Sequence, residues 1–165
     1  MFIYNMLTSF ITLMLFFLLI FMLSYIYFYI KNGNIDTKQK RIEYMNNTMG
    51  IMFIALACLK IFNLTDFSEI FKQYDLISQS LPVYSKVYPF IELLLGFLFL
   101  NQAYIPYIYY ITLLVISSNL ISTFLALATG VSLPCGCMGG LINLKLSYLS
   151  VLENMLMLIM LFFLI

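Results

Sequence analysis

Cys135 and Cys137 stand on either side of Gly136 in the stretch Leu133-Pro-Cys-Gly-Cys-Met-Gly-Gly140, in a chain of 165 residues that holds one other cysteine and no histidine. Two thiols at that spacing can close on each other. Gly136 carries no side chain, so the backbone is free to take the turn that brings the sulfurs together. A ring closed across one residue is strained, and a strained disulfide is easily reduced and correspondingly oxidising toward other thiols. Redox exchange is therefore the chemistry this pair suits best, with Cys135 and Cys137 as candidate catalytic residues and Gly136 in support. Two other readings stand beside it. The cysteines can be small apolar packing residues in a loop, or soft ligands for Cu(I) together with the Met138 thioether. A closed zinc site is disfavoured, because three cysteines without histidine are a poor match to its usual four ligands.

The elements that position this pair must be membrane helices. Hydrophobic residues make up 64% of the chain and charged ones 9%, far from the composition of a water-soluble domain. A net charge of +1 gives no concentrated basic face and sets nucleic acid aside as a partner. Each spanning helix needs about 20 apolar residues, so the chain can hold four or five. The first apolar run covers residues 10–30 and closes on the tyrosines 25, 27 and 29, an interfacial belt. It reads as an anchor rather than a signal peptide, since it has neither a basic leader nor a small-residue cleavage site. Residues 1–30 then form an N-terminal transmembrane helix and 31–47 a linker with Lys31, Lys38, Lys40 and Arg41, basic enough to be the cytoplasmic side.

Four further spans are expected over 48–62, from Pro82 or Tyr88 to Leu100, over 104–129, and from Leu141 to the carboxyl terminus. Asn101-Gln102 is the tight inner turn. Residues 63–80 form either a plain loop or an amphipathic helix lying on the membrane surface. In the helical reading Phe67, Ile70, Phe71 and Tyr74 make the apolar face and Asp66, Glu69, Lys72 and Asp75 the polar one. Threading from the basic linker puts Lys60, residues 63–80 and the loop at 133–140 together outside. Disulfides persist there. A helix beginning near Leu141 also sets its positive end beside the thiols, which raises the thiolate fraction.

An ionisable group in lipid costs a few kcal/mol and usually faces a partner or a cavity. Lys60, near the outer end of its span and able to snorkel toward headgroups, and Glu92, about one turn below the outer end of the next, agree in depth. They form either a salt bridge locking two helices or a charge that tunes the thiols or relays a proton. Glu153 falls deeper, about twelve residues or roughly 18 Å into the last helix. Asn119 lies at a similar depth and shares a face with Ser122 and Thr123, a polar patch that either joins two helices or lines a path for a proton or a quinone. Cys58 is a candidate resolving thiol, although a lone cysteine on an apolar helix is usually packing.

Cys135-Gly-Cys-Met-Gly139 followed by an apolar helix resembles the Cys-Gly-Cys-Phe-Gly signature of the MauE family of redox-associated membrane proteins, relatives of the DoxX family. Leu59-Lys60, then Phe67, Phe71 and Tyr74, then Pro89-Phe-Ile-Glu-Leu-Leu-Leu-Gly96 fit the same pattern in order. The resemblance covers about Thr48 to the end. It implies an all-α integral membrane protein with a four-helix transmembrane bundle over 48–165, to which the N-terminal helix is an addition. It also implies a role in thiol–disulfide chemistry outside the cytoplasm. Met138 departs from the usual aromatic, and Glu153-Asn154 stands where many relatives carry Arg-Asn. The expected function is a membrane thiol–disulfide oxidoreductase, or a component of one, acting on an extracytoplasmic client or a thioredoxin-like redox partner. Its electron acceptor is unidentified, with a quinone as candidate. The alternatives are a non-catalytic membrane scaffold or chaperone subunit and a Cu(I)-handling membrane protein.

Overall fold

The structure, a computed structural model, describes residues 15, 18–30, 38–103, 105–129 and 148–165. Those residues form seven helices: α1 (Leu18–Ile30), α2 (Lys38–Phe62), α3 (Leu64–Tyr74), α4 (Leu76–Ser80), α5 (Tyr84–Leu100), α6 (Ile105–Ala128) and α7 (Tyr148–Leu164). The all-α expectation is met. α2 and α6 are each long and apolar enough to cross a membrane.

Around an apolar core that includes Met49, Phe53, Phe71 and Phe99, the distribution of polar and apolar surface departs from that of a water-soluble protein. Ser24, Asn46, Asn47, Thr48, Ser85, Glu92, Thr112, Ser122 and Thr123 are all turned inward, whereas Leu114, Phe162 and Phe163 are 72–75% exposed. Polar groups that meet one another inside and large apolar side chains that face outward fit a bundle whose solvent is hydrocarbon. The chain reads as a membrane protein.

α2 starts at Lys38 rather than at Thr48, so residues 38–47 are its first turns and not linker. Lys38, Gln39, Lys40, Arg41 and Glu43 are good helix formers. Two contacts also draw the segment inward: Tyr109 Oη donates to Asn46 Oδ1 at 2.9 Å, and the Ser24 and Thr48 hydroxyls meet at 2.6 Å. The latter pins α1 to α2. Residues 31–37 lie outside the described residues.

Within residues 63–80 the chain forms two helices, α3 and α4, where the amphipathic reading expects one, and the apolar face of α3 covers protein rather than lipid. Phe67 and Phe71 are buried against α5, where Phe71 lies 4.8 Å from the Tyr88 ring. Asp75 is a second correction, since it is 1% exposed and does not share a solvated face with Asp66 and Glu69. It breaks the helix between α3 and α4. Its Oδ2 caps α4 by accepting from Ser78 N at 2.7 Å, and its Oδ1 accepts from Ser122 Oγ at 3.1 Å. α3 and α4 are thereby fastened to α6.

The turn expected at Asn101-Gln102 closes α5. Gln102 takes a left-handed φ of 50°, its N–H reaches Phe99 O at 3.2 Å, and Ala103 N–H reaches Leu98 O at 3.2 Å. That is the two-bond Schellman ending, with glutamine where glycine is usual.

Candidate functional site

Two glycines set the spacing on which the site depends. Among the described helices from α2 onward, α2 and α5 make the most extensive contact, and they touch backbone to backbone where Gly50 meets Gly96. A Cβ on Gly96 would lie 2.7 Å from Ile54 Cγ1 and 2.9 Å from the Gly50 carbonyl oxygen. Only glycine fits such an approach. Beside the crossing the Phe53 and Phe99 rings stack at 6.0 Å, and seven residues further along α2 Lys60 meets Glu92, seven residues back along α5, so the helices run antiparallel. Glu92 lies one turn before Gly96, on the same face of α5, and faces the end of α2 that carries Lys60.

Lys60 points inward. Its side chain does not snorkel toward headgroups but is buried between α3 and α5, against Phe67, Tyr88 and Glu92. Nζ donates to both Glu92 oxygens, at 2.6 Å and 2.7 Å. Both residues are buried, Lys60 at 4% exposure and Glu92 at 3%. Phe67 and Tyr88 close over the ammonium, with ring centroids 5.7 Å and 5.0 Å from Nζ, near enough for cation–π attraction. α3 thus serves as an aromatic cover. Phe71 stacks on Phe67 at 5.0 Å and meets Tyr74 edge-on at 5.4 Å. Burial pushes the Tyr74 phenol well above its ordinary pKa, and the neighbouring Asp75 carboxylate adds to the effect.

α6 and α7 supply the other wall. Asn119 Nδ2 donates to Tyr88 Oη at 3.1 Å and lies 3.4 Å from Asn154 Oδ1, while Thr123 Oγ1 donates to the Asn119 carbonyl at 2.8 Å. Between the walls is a cavity of about 20 Å³, lined among others by Lys60, Tyr88, Glu92, Asn119, Glu153 and Asn154. That volume admits a water molecule. Glu153 is 6% exposed, and its Oε2 has no hydrogen-bond partner.

Lys60, Glu92, Asn119 and Glu153 are therefore brought together, and the two depths expected from residue counting merge into one site. Ser122 departs from that patch. It turns to the α3–α4 junction, where it also accepts from Leu76 N at 3.2 Å. Cys58 is half-buried, free, and not among the residues lining the cavity. Cys135, Gly136, Cys137 and the rest of the loop at 133–140 lie outside the described residues. Sequence reasoning passed over Tyr88 as a polar contributor. Its place one turn before Glu92, on the same face, was the available signal.

No curated protein and no solved structure matches the chain. The family model described as Methylamine utilisation protein MauE matches residues 39–165, from the first turn of α2 rather than from Thr48, and the chain belongs to the MauE family.

Proposed function

We propose that this protein is a membrane thiol–disulfide oxidoreductase, or a component of one, in which Cys135 and Cys137 cycle between disulfide and dithiol in the service of an extracytoplasmic client. Family membership supports the reading. The observation that carries it is the one chemically distinctive stretch of the sequence, Cys135-Gly-Cys137, on the segment joining the two helices that wall the cavity. α6 contributes Asn119 and Thr123, α7 contributes Glu153 and Asn154, and the segment is tethered to both. In this reading the chain spans the membrane five times with that loop outside, where disulfides persist.

The exchange is a pair of substitutions at sulfur. A client thiolate attacks one sulfur of the Cys135–Cys137 disulfide, the S–S bond breaks, and the other sulfur leaves as a thiolate that takes a proton. A second client thiolate then attacks the mixed disulfide. The client is left with the disulfide, oxidised by two electrons, and the pair with two thiols. Reoxidation passes two electrons and two protons to an acceptor, either a partner disulfide or a quinone. The cavity has room for a water, which suits it to a part in the proton side of this scheme.

Trapping tests the proposal. In a Cys135→Ser or Cys137→Ser variant one of the two remaining thiols should accumulate as a mixed disulfide with the client, recoverable by mass spectrometry and released by reductant. If both variants support the client as the natural sequence does, the chain is a scaffold and not a redox carrier.

A further inference from the structure

We infer that Glu153 Oε2 is the proton-binding atom of the cavity, exchanging a proton with solvent through a water held between α2, α5, α6 and α7, which takes up one proton as it passes on another. Two independent observations carry this. Glu153 is more than nine-tenths buried, and no protein group meets its Oε2. The cavity it lines has room for a water, the only small donor and acceptor that reaches every such site.

The charges around it are nearly balanced without it. α2 contributes Lys60, α5 contributes Glu92 and Tyr88, and α3 contributes Tyr74. The lining residues of α6 bear no charge, and Asn154 of α7 is neutral. Lys60 is committed to Glu92 through both carboxylate oxygens, so the pair is neutral and its cation is already engaged. An ionised Glu153 would add an uncompensated negative charge to a site with almost no solvent, which is costly. A proton on Oε2 restores neutrality and supplies the donor that the cavity water needs. The same geometry makes that proton releasable, because Lys60 lines the same cavity and an ionised Glu153 would share the field of its ammonium with Glu92, which lowers the cost of release without cancelling it. The inference does not depend on the chemistry of Cys135 and Cys137.

A hydrophobic carbodiimide reports such a proton covalently. The carboxylic acid protonates a carbodiimide nitrogen, its oxygen adds to the central carbon, and the adduct rearranges to an N-acylurea. One reagent molecule is added whole and nothing is oxidised. A carboxylate held in an ion pair lacks the proton that starts the reaction. Peptide mapping of the purified full chain in detergent should place the adduct on Glu153 and not on Glu92. Cys135→Ser and Cys137→Ser variants should give the same result. In Glu92→Gln, Lys60 is freed to pair with Glu153, and labelling there should fall roughly tenfold or more, the smaller end of what a nearby opposite charge does to a carboxyl. Should that variant fail to fold, the natural sequence gives an equivalent test, with labelling lost along a single-site titration as pH rises. An adduct mainly on Glu92, an unmodified Glu153, or a folded Glu92→Gln protein that keeps full labelling would overturn the inference, and so would labelling independent of pH.

Discussion

Replacing Lys60 by methionine keeps an unbranched side chain one atom shorter and removes its charge, which leaves Glu92 at 3% exposure without its cation. That carboxylate is left uncompensated among α2, α3 and α5, and losing one partner from a buried pair typically costs about 3–5 kcal/mol, so the variant should be destabilised by about that amount. Glu92→Leu strands the ammonium instead and should cost a similar amount. The double variant, Lys60→Met with Glu92→Leu, has no charge to strand and should lie within about 1–2 kcal/mol of the natural sequence. Thermal unfolding in detergent, followed by circular dichroism, measures all four corners of the cycle. Additive losses would show that the 2.6 Å contact carries no coupling, and the site built on it would lose its foundation.

Gly96→Ala should destabilise by about 1–3 kcal/mol, the usual cost of overpacking, because the added Cβ meets the Gly50 carbonyl as well as Ile54; a neutral result in the same melt would mean that the crossing yields freely. Asp75→Ala removes the α4 cap and the acceptor of Ser122, for a loss of about 1–3 kcal/mol, and limited proteolysis should then cut first between α3 and α5. A membrane-impermeant thiol reagent applied to intact cells after mild reduction should label Cys135 or Cys137; labelling only after permeabilisation would invert the topology. Equilibrated with glutathione buffers, the pair should be oxidising, above roughly −250 mV, whereas a structural disulfide would lie below about −300 mV.

Much of this was legible in the sequence. Lys60 and Glu92 could be matched because each stands near an end of an apolar run where few other charges compete, and matched depth restricts partners strongly in lipid. Helical spacing of Phe67, Phe71 and Tyr74 marked α3. Periodicity shows that a face is apolar, however, and not what covers it, so a face expected on the membrane surface lies against the Tyr88 ring instead. Asp75 looked like one more surface acid for the same reason, since its partner Ser122 is 47 residues away. The start of α2 was hidden by charge. Lys38, Lys40, Arg41 and Glu43 interrupt the apolar pattern without interrupting the helix. Glu153 could be recognised as a buried carboxylate, but counting residues placed it a layer below the ion pair whose cavity it shares.

The contact between Gly50 and Gly96 also fixes a fulcrum. Lys60 lies ten residues beyond Gly50, a lever arm of about 15 Å at 1.5 Å per residue. Tilting α2 against α5 by about 4° about that point carries the Lys60 backbone about 1 Å, a shift the lysine stem must absorb if its 2.6 Å contact with Glu92 is to hold. Anything that leans on α3, whose Phe67 rests over the Lys60 ammonium, presses on the long end of that lever.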